Sequence, residues 1–167
     1  MTTTVKTATG KKRALRAAAA TAMTVALGFA SAPAATAAFP IVGTLGQALT
    51  MTDSVGQVQL SWTVSGLKPS SDTMPGYQVA GKLWEATATV KAIQGSVTPA
   101  ISQFNAVAPN KAAYRVLWQV ASPVNISGAT IPPGATSTGK IHFDVTGPAP
   151  TTVTMNNGME DLLIWGP

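Results

Sequence analysis

The chain has 167 residues, 46% hydrophobic and only 10% charged, with a formal net charge of +5, one histidine and no cysteine. The positive charge is uneven: five of the eleven basic residues (Lys6, Lys11, Lys12, Arg13, Arg16) lie in the first sixteen positions, and beyond residue 37 six basic residues balance six acidic ones. Those six cations are scattered singly, so the clusters that bind nucleic acid or an anionic membrane are missing, and a chain without thiols offers neither a disulfide framework nor a Cys/His zinc site.

The first element is a targeting segment. The basic start is followed by an apolar run from Ala17 to Ala30 and by Ala35-Thr36-Ala37, a small-residue cleavage pattern. This predicts a secretory signal peptide over residues 1–37, cut after Ala37 and exported by the general route, with no twin arginine in its basic region. The apolar run is shorter than the roughly twenty residues a spanning helix needs, and no later segment is long and apolar enough. A secreted, extracellular protein with no membrane span is expected.

Beyond residue 37 the pattern has period two. Short strand candidates are Leu49 to Thr52, Ile101 to Phe104, Thr151 to Met155 and Leu162 to Trp165. Longer ones are Val58, Leu60, Trp62, Val64; Trp84, Ala86, Ala88, Val90, Ala92; Tyr114, Val116, Trp118, Val120; and Ile141, Phe143, Val145. In each, mostly polar residues alternate with these, Leu117 being the apolar exception, which implies one buried face. For Leu162 to Trp165 the facing stays open, because both parities are apolar. Gly66 to Gly76 (with Pro69, Ser70, Ser71 and Pro75), Pro109-Asn110, Pro132-Pro133-Gly134 and Asn157-Gly158 break the runs where turns belong.

The predicted fold class is all-β: one immunoglobulin-like antiparallel β-sandwich domain over residues 38–167, without a disulfide, with a partly open barrel as the competing form. A missing cross-sheet disulfide removes about 2 to 5 kcal/mol. Trp62, Trp84 and Trp118 are expected in the core in its place, the alternative being an exposed aromatic platform for sugar. A carrier with a small apolar ligand between the sheets ranks lower, since three tryptophans fill that space.

Several short motifs invite a chemical reading. Gly134 and Gly139-Lys140 have the G-x-x-x-x-G-K spacing of a phosphate loop, but Ile141 stands where a hydroxyl should hold magnesium and a strand follows instead of a helix. Lys140, His142 and Asp144 share a strand face, expected to be the solvent face. A His142–Asp144 pair could serve a serine nucleophile, yet no G-x-S-x-G elbow accompanies it. Ser65-Gly66-Leu67-Lys68 matches S-x-x-K without its partner motifs. Glu160-Asp161 beside Asn156-Asn157 offers oxygens for calcium without the regular spacing. Asn125-Ile126-Ser127 is formally a glycosylation sequon.

Longer stretches carry a family resemblance. "LTMTDSVGQVQLSW" (Leu49 to Trp62), "PGYQVAGKLWEATATVKAIQGSVTPAISQFNA" (Pro75 to Ala106), "YRVLWQ" (Tyr114 to Gln119), "ISGATIPPG" (Ile126 to Gly134), "STGKIHFDVTGP" (Ser137 to Pro148) and "MNNGMEDLLIW" (Met155 to Trp165) resemble the secreted immunogenic antigens of mycobacteria of the MPT-sixty-three type. The resemblance implies a telokin-like immunoglobulin fold with no established enzymatic activity, and it assigns no catalytic, cofactor-binding or metal residue. The expected function is a secreted, non-catalytic antigen that meets a host or cell-surface protein through the 66–76, 105–113 or 128–139 loop or an open edge strand. No nucleic acid and no small-molecule cofactor is expected. A small extracellular hydrolase using His142 and Asp144 is the competing reading.

Overall fold

The computed structural model describes residues 1–2, 39–53 and 55–167; apart from Met1 and Thr2, the expected signal peptide and its cleavage point lie outside the described residues. All strands of the described residues fall in the unit Ala35–Pro167. In chain order they are β1 (Ile41–Thr44), β2 (Ala48–Thr52), β3 (Gln59–Pro69), β4 (Lys82–Gln94), β5 (Phe104–Val107), β6 (Ala113–Arg115), β7 (Thr136–Val145), β8 (Thr152–Asn156) and β9 (Asp161–Gly166).

They form two sheets, ordered β1-β9-β8-β5-β6 and β2-β3-β4-β7. Every pairing is antiparallel except β1 with β9, which run parallel from Ile41 opposite Leu163 to Thr44 opposite Gly166. The cysteine-free β-sandwich read from the sequence is therefore the fold. β1 has only four residues and no warning alternation. Ile101–Gln103, read as the start of a strand, is one 3-10 turn leading into β5.

The core lies between the sheets. Trp62 and Val64 from β3, Ala86, Ala88, Val90 and Ala92 from β4, Phe104 and Ala106 from β5, and Leu163 and Trp165 from β9 are all buried in one cluster. The four small residues of β4 leave room for large neighbours, and an aromatic group fills it. Trp62 stands edge-on to Phe104 at 4.9 Å between ring centroids, and Phe104 meets Trp165 at 6.1 Å. Such pairs add to the burial of their area. The indole of Trp165 also donates to the Gln47 carbonyl at 3.0 Å, which settles the facing of β9 with Leu163 and Trp165 inward.

Two tryptophans depart from expectation. Trp84 has the inward parity but sits near the end of β4, half-buried and packed against the edge of the core. Trp118 is not in the core at all: it is 53% exposed. The alternation from Tyr114 to Val120 does not correspond to one strand. Pairing with β5 stops at Arg115; Val116 then bridges to Phe143 of β7, and residues 117–120 turn, with Val120 N–H donating to the Leu117 carbonyl at 3.2 Å. The chain leaves one sheet for the edge of the other at that point, and the phase is lost.

Candidate functional site

Lys140, His142 and Asp144 do share the face of β7 that points away from the core, but the expectation that this face meets solvent is wrong. His142 is 2% exposed and Glu85, its neighbour across β4, is 7% exposed. The cause is residues 70–81, which fold back over the outer face and are tied to it by side chains of β4 and β7. Ser70 N–H donates to the Leu83 carbonyl at 2.8 Å and its hydroxyl to Glu85 Oε2 at 2.6 Å. Asp72 Oδ2 accepts from Lys140 Nζ at 2.8 Å and lies 2.9 Å from His142 Nε2. At the far end Asp144 accepts from the Tyr77 hydroxyl at 3.0 Å and from the amides of Ala80 and Gly81, both at 2.8 Å. Met74 of this run and Leu83 of β4 are buried outside the main core cluster.

His142 therefore pairs with Asp72, while Asp144 clamps the loop; the proposed His142–Asp144 pair does not form. The other ring nitrogen, Nδ1, lies 3.0 Å from Asn125 Oδ1. Asn125 reaches that position because Gly139 has no side chain: a Cβ there would overlap the backbone of Asn125 and Ile126. The 124–126 run can thus lie against β7, with Lys140 N–H donating to the Val124 carbonyl at 2.8 Å and Ile126 N–H to the Lys140 carbonyl at 3.0 Å. The amide of Asn125 also donates to the Val120 carbonyl at 2.8 Å.

The electrostatics are self-contained. Lys140 Nζ lies 2.8 Å from Asp72 and 2.9 Å from Glu85, and Lys68 is 3.7 Å from the other oxygen of Glu85. Lys140, and after it His142, hold the Asp72 carboxyl below its usual range. Burial pushes Glu85 up, but the bonds from Lys140 and Ser70 outweigh it and leave Glu85 below its ordinary value. Burial also acts to raise Asp144, and the two amides and the Tyr77 hydroxyl more than reverse it. Bonds from Asp72 and Glu85 raise Lys140 in return.

Asp72, Glu85 and His142 each bring a ligand atom within 4.8 Å of the others, close enough to share a metal ion. A lone histidine without thiols gave no hint of that convergence. The Lys140 ammonium, held by both carboxylates, already supplies the cation that balances them. Of the other motifs, Gly134 lies in a turn, while Thr136 to Lys140 are strand, so no loop cradles a phosphate. Ser65 to Lys68 lie in β3 at a register shift. The oxygens of Asn156 and Asn157 cap the turn between β8 and β9, accepting from Gly158 N–H at 2.7 Å and from Met159 and Glu160 N–H at 2.9 Å. Asn156 also donates to Asp161 at 2.9 Å.

A pocket of about 340 Å³ opens beside the cluster. Trp118, Val120, Ile101 and Ile126 line it, with Asn125 and His142 also in its wall. Leu117 N–H donates to the His142 carbonyl at 2.8 Å, which fixes the Trp118 turn to β7.

Fold and site together define a cysteine-free β-sandwich with an internally neutralised polar cluster under one sheet and an open, tryptophan-edged pocket beside it. The chain belongs to the family described as a domain of unknown function, DUF1942, whose model matches residues 40–165. It is 69% identical over 137 residues, 82% of this chain and 86% of theirs, to the immunogenic protein MPB63 of Mycobacterium bovis and the immunogenic protein MPT63 of Mycobacterium tuberculosis. The crystal structure of MPT63, described as a secreted protein from Mycobacterium tuberculosis, is similar with a TM-score of 0.76 at 69% identity, covering 78% of this chain and 100% of that one. The family resemblance drawn from the sequence is thereby shown.

Proposed function

We propose that this protein is a secreted, non-catalytic recognition module, an immunogenic antigen like its mycobacterial relatives, which engages a protein on a host or other cell surface through the Trp118 pocket. The observation that carries this reading is a large indole left 53% exposed at the rim of a pocket, on a turn fixed by backbone bonds. Tryptophan is the residue most often found as the anchor of a binding surface, because it contributes much area with little entropy to lose. The same surface speaks against a hydrolase. Both nitrogens of His142 are engaged, by Asn125 and Asp72, and the cluster's hydroxyl, Ser70, donates to a carboxylate and not to the imidazole. General-base catalysis needs an imidazole nitrogen within reach of the nucleophile.

Binding of the labelled protein to intact cells tests this. The expected result is saturable binding that protease treatment of the cells removes and that Trp118→Ala abolishes. Non-saturable or protease-insensitive binding would overturn the reading, as would turnover in esterase, peptidase or glycosidase panels that disappears in His142→Ala.

A further inference from the structure

We infer that the Trp118 pocket takes a neutral sugar ring, a pyranose borne by a glycan of the partner, stacked by its C–H face on the exposed indole. This rests on the reading of the Trp118 surface as the recognition site and names the chemistry it recognises.

Size comes first. A volume of about 340 Å³ lies at the small end of ligand pockets, which run from about 300 to 1,000 Å³, and so suits one ring with its substituents better than an extended chain. The walls are of two kinds. Trp118, Val120, Ile101 and Ile126 offer apolar surface, and Ser122, Asn125, Ser127 and Lys140 bring hydrogen-bonding groups to the same lining.

Those groups keep capacity after their internal bonds are counted. Asn125 uses one amide N–H on Val120 and retains the other. Ser127 Oγ accepts from Ala129 N–H at 3.2 Å, which leaves its O–H to donate. Lys140 donates to Asp72 and Glu85 and has a third N–H. A wholly apolar ligand would cover these donors without pairing them, at a desolvation cost. A ligand that is polar all round would leave the indole and the aliphatic wall with nothing to bury. A pyranose has an apolar face of axial C–H groups and a rim of hydroxyls that donate and accept, and so answers both walls.

Charge decides between neutral and ionic sugars. Lys140 in the pocket wall and Lys68 outside it stand against Asp72 and Glu85, a balanced set whose partners are already each other. Of these four groups only Lys140 lines the pocket, and its charge is already balanced by Asp72 and Glu85, so a uronic acid gains little over a neutral hexose and an amino sugar meets a like charge. The turn that carries Trp118 is fixed before the ligand arrives, which keeps the ordering cost low.

The test is saturation-transfer NMR and tryptophan-fluorescence titration of the full protein with methyl hexopyranosides, with glucuronic acid and glucosamine as charged comparators. Expected is saturable millimolar binding of at least one neutral glycoside, at least about tenfold weaker in Trp118→Ala and less weakened in Trp118→Phe, with unchanged urea midpoints showing that both variants fold. No saturable glycoside binding, tighter binding of a charged sugar, or equal binding by Trp118→Ala would overturn the inference. Cell binding that protease removes, but that glycan oxidation and free glycosides leave intact, would sink the sugar and keep the recognition reading. Absent cell binding alongside intact glycoside binding would do the reverse.

Discussion

Removing the indole of Trp62 empties the space that Phe104 meets edge-on, so Trp62→Ala is expected to cost about 3 to 5 kcal/mol in urea or guanidinium unfolding. Trp118→Ala removes the same side chain from a half-open site and should shift stability by no more than about 0.5 kcal/mol while changing what the surface binds. Asn125 is a third case. Truncation to alanine leaves His142 Nδ1 and the Val120 carbonyl without partners, and about 1 to 3 kcal/mol should be lost. Asn125→Ala combined with His142→Phe should regain part of that loss, since the unpaired imidazole nitrogen goes with it; a double mutant no more stable than the single one would show that the bond is not the cause. At this scale the sequence was half legible. Parity placed Trp62 inward and set Lys140, His142 and Asp144 on one face correctly. Parity does not say what lies above a face, so the burial of His142 was invisible. The available signal was three polar residues in alternation on a strand whose neighbour carries Glu85, in a domain with few charges, together with Asp72 and Tyr77 in a run otherwise read as loop.

Residues 70–81 behave as a strap over β4 and β7, and the reading of 66–76 as a free loop is thereby corrected: its first part is the end of β3 and the rest is tied down. Gly81 shows how close the strap lies, because a Cβ there would overlap the Val145 carbonyl. Asp144→Ala should release one end of it. Hydrogen exchange at the Ala80 and Gly81 amides should accelerate and a protease should cut within 70–81, while amides of β3 and β4 keep their protection. Equal exchange in mutant and parent would mean that packing of Met74, and not the carboxylate, holds the strap. Among the elements with long alternation, β4 was read from the sequence nearly to its ends, whereas β3 runs on past Val64 to Pro69 and β7 begins at Thr136, before the alternation from Lys140 sets in. Three others show where periodicity fails: β1 is too short to alternate, Ile101–Gln103 is apolar without being extended, and the run after Arg115 changes sheets in mid-pattern. In each case pairing partners, which a single sequence does not list, decide the element.

For the molecule as a whole, the polar cluster sets how stability depends on pH. Asp72, Glu85 and Asp144 titrate below their ordinary values when folded, so their contribution is complete above the ordinary carboxyl range, near 3.8 for Asp and 4.5 for Glu, and is lost as pH falls through the lowered folded values. Lys140 is raised from 10.5, and burial followed by Asp144 raises Tyr77 from 10.0. Their contribution is complete below those values and is lost as pH climbs through the raised ones. Urea midpoints should therefore form a plateau from about pH 5 to 9 with a fall on either side. Lys140→Met should shrink both limbs in part, because its pairs with Asp72 and Glu85 contribute to each while Asp144 and Tyr77 keep their share; a variant profile that merely shifts downward in parallel would exclude the Lys140 pairs as a source of either limb. The parallel pairing of β1 with β9 has a consequence of another kind. Among the described residues β1 finds its only ladder partner in β9, so a chain delivered from the ribosome amino end first cannot close the five-stranded sheet until β9 has emerged. Contacts between such distant segments form late, and this sheet stays open until they do.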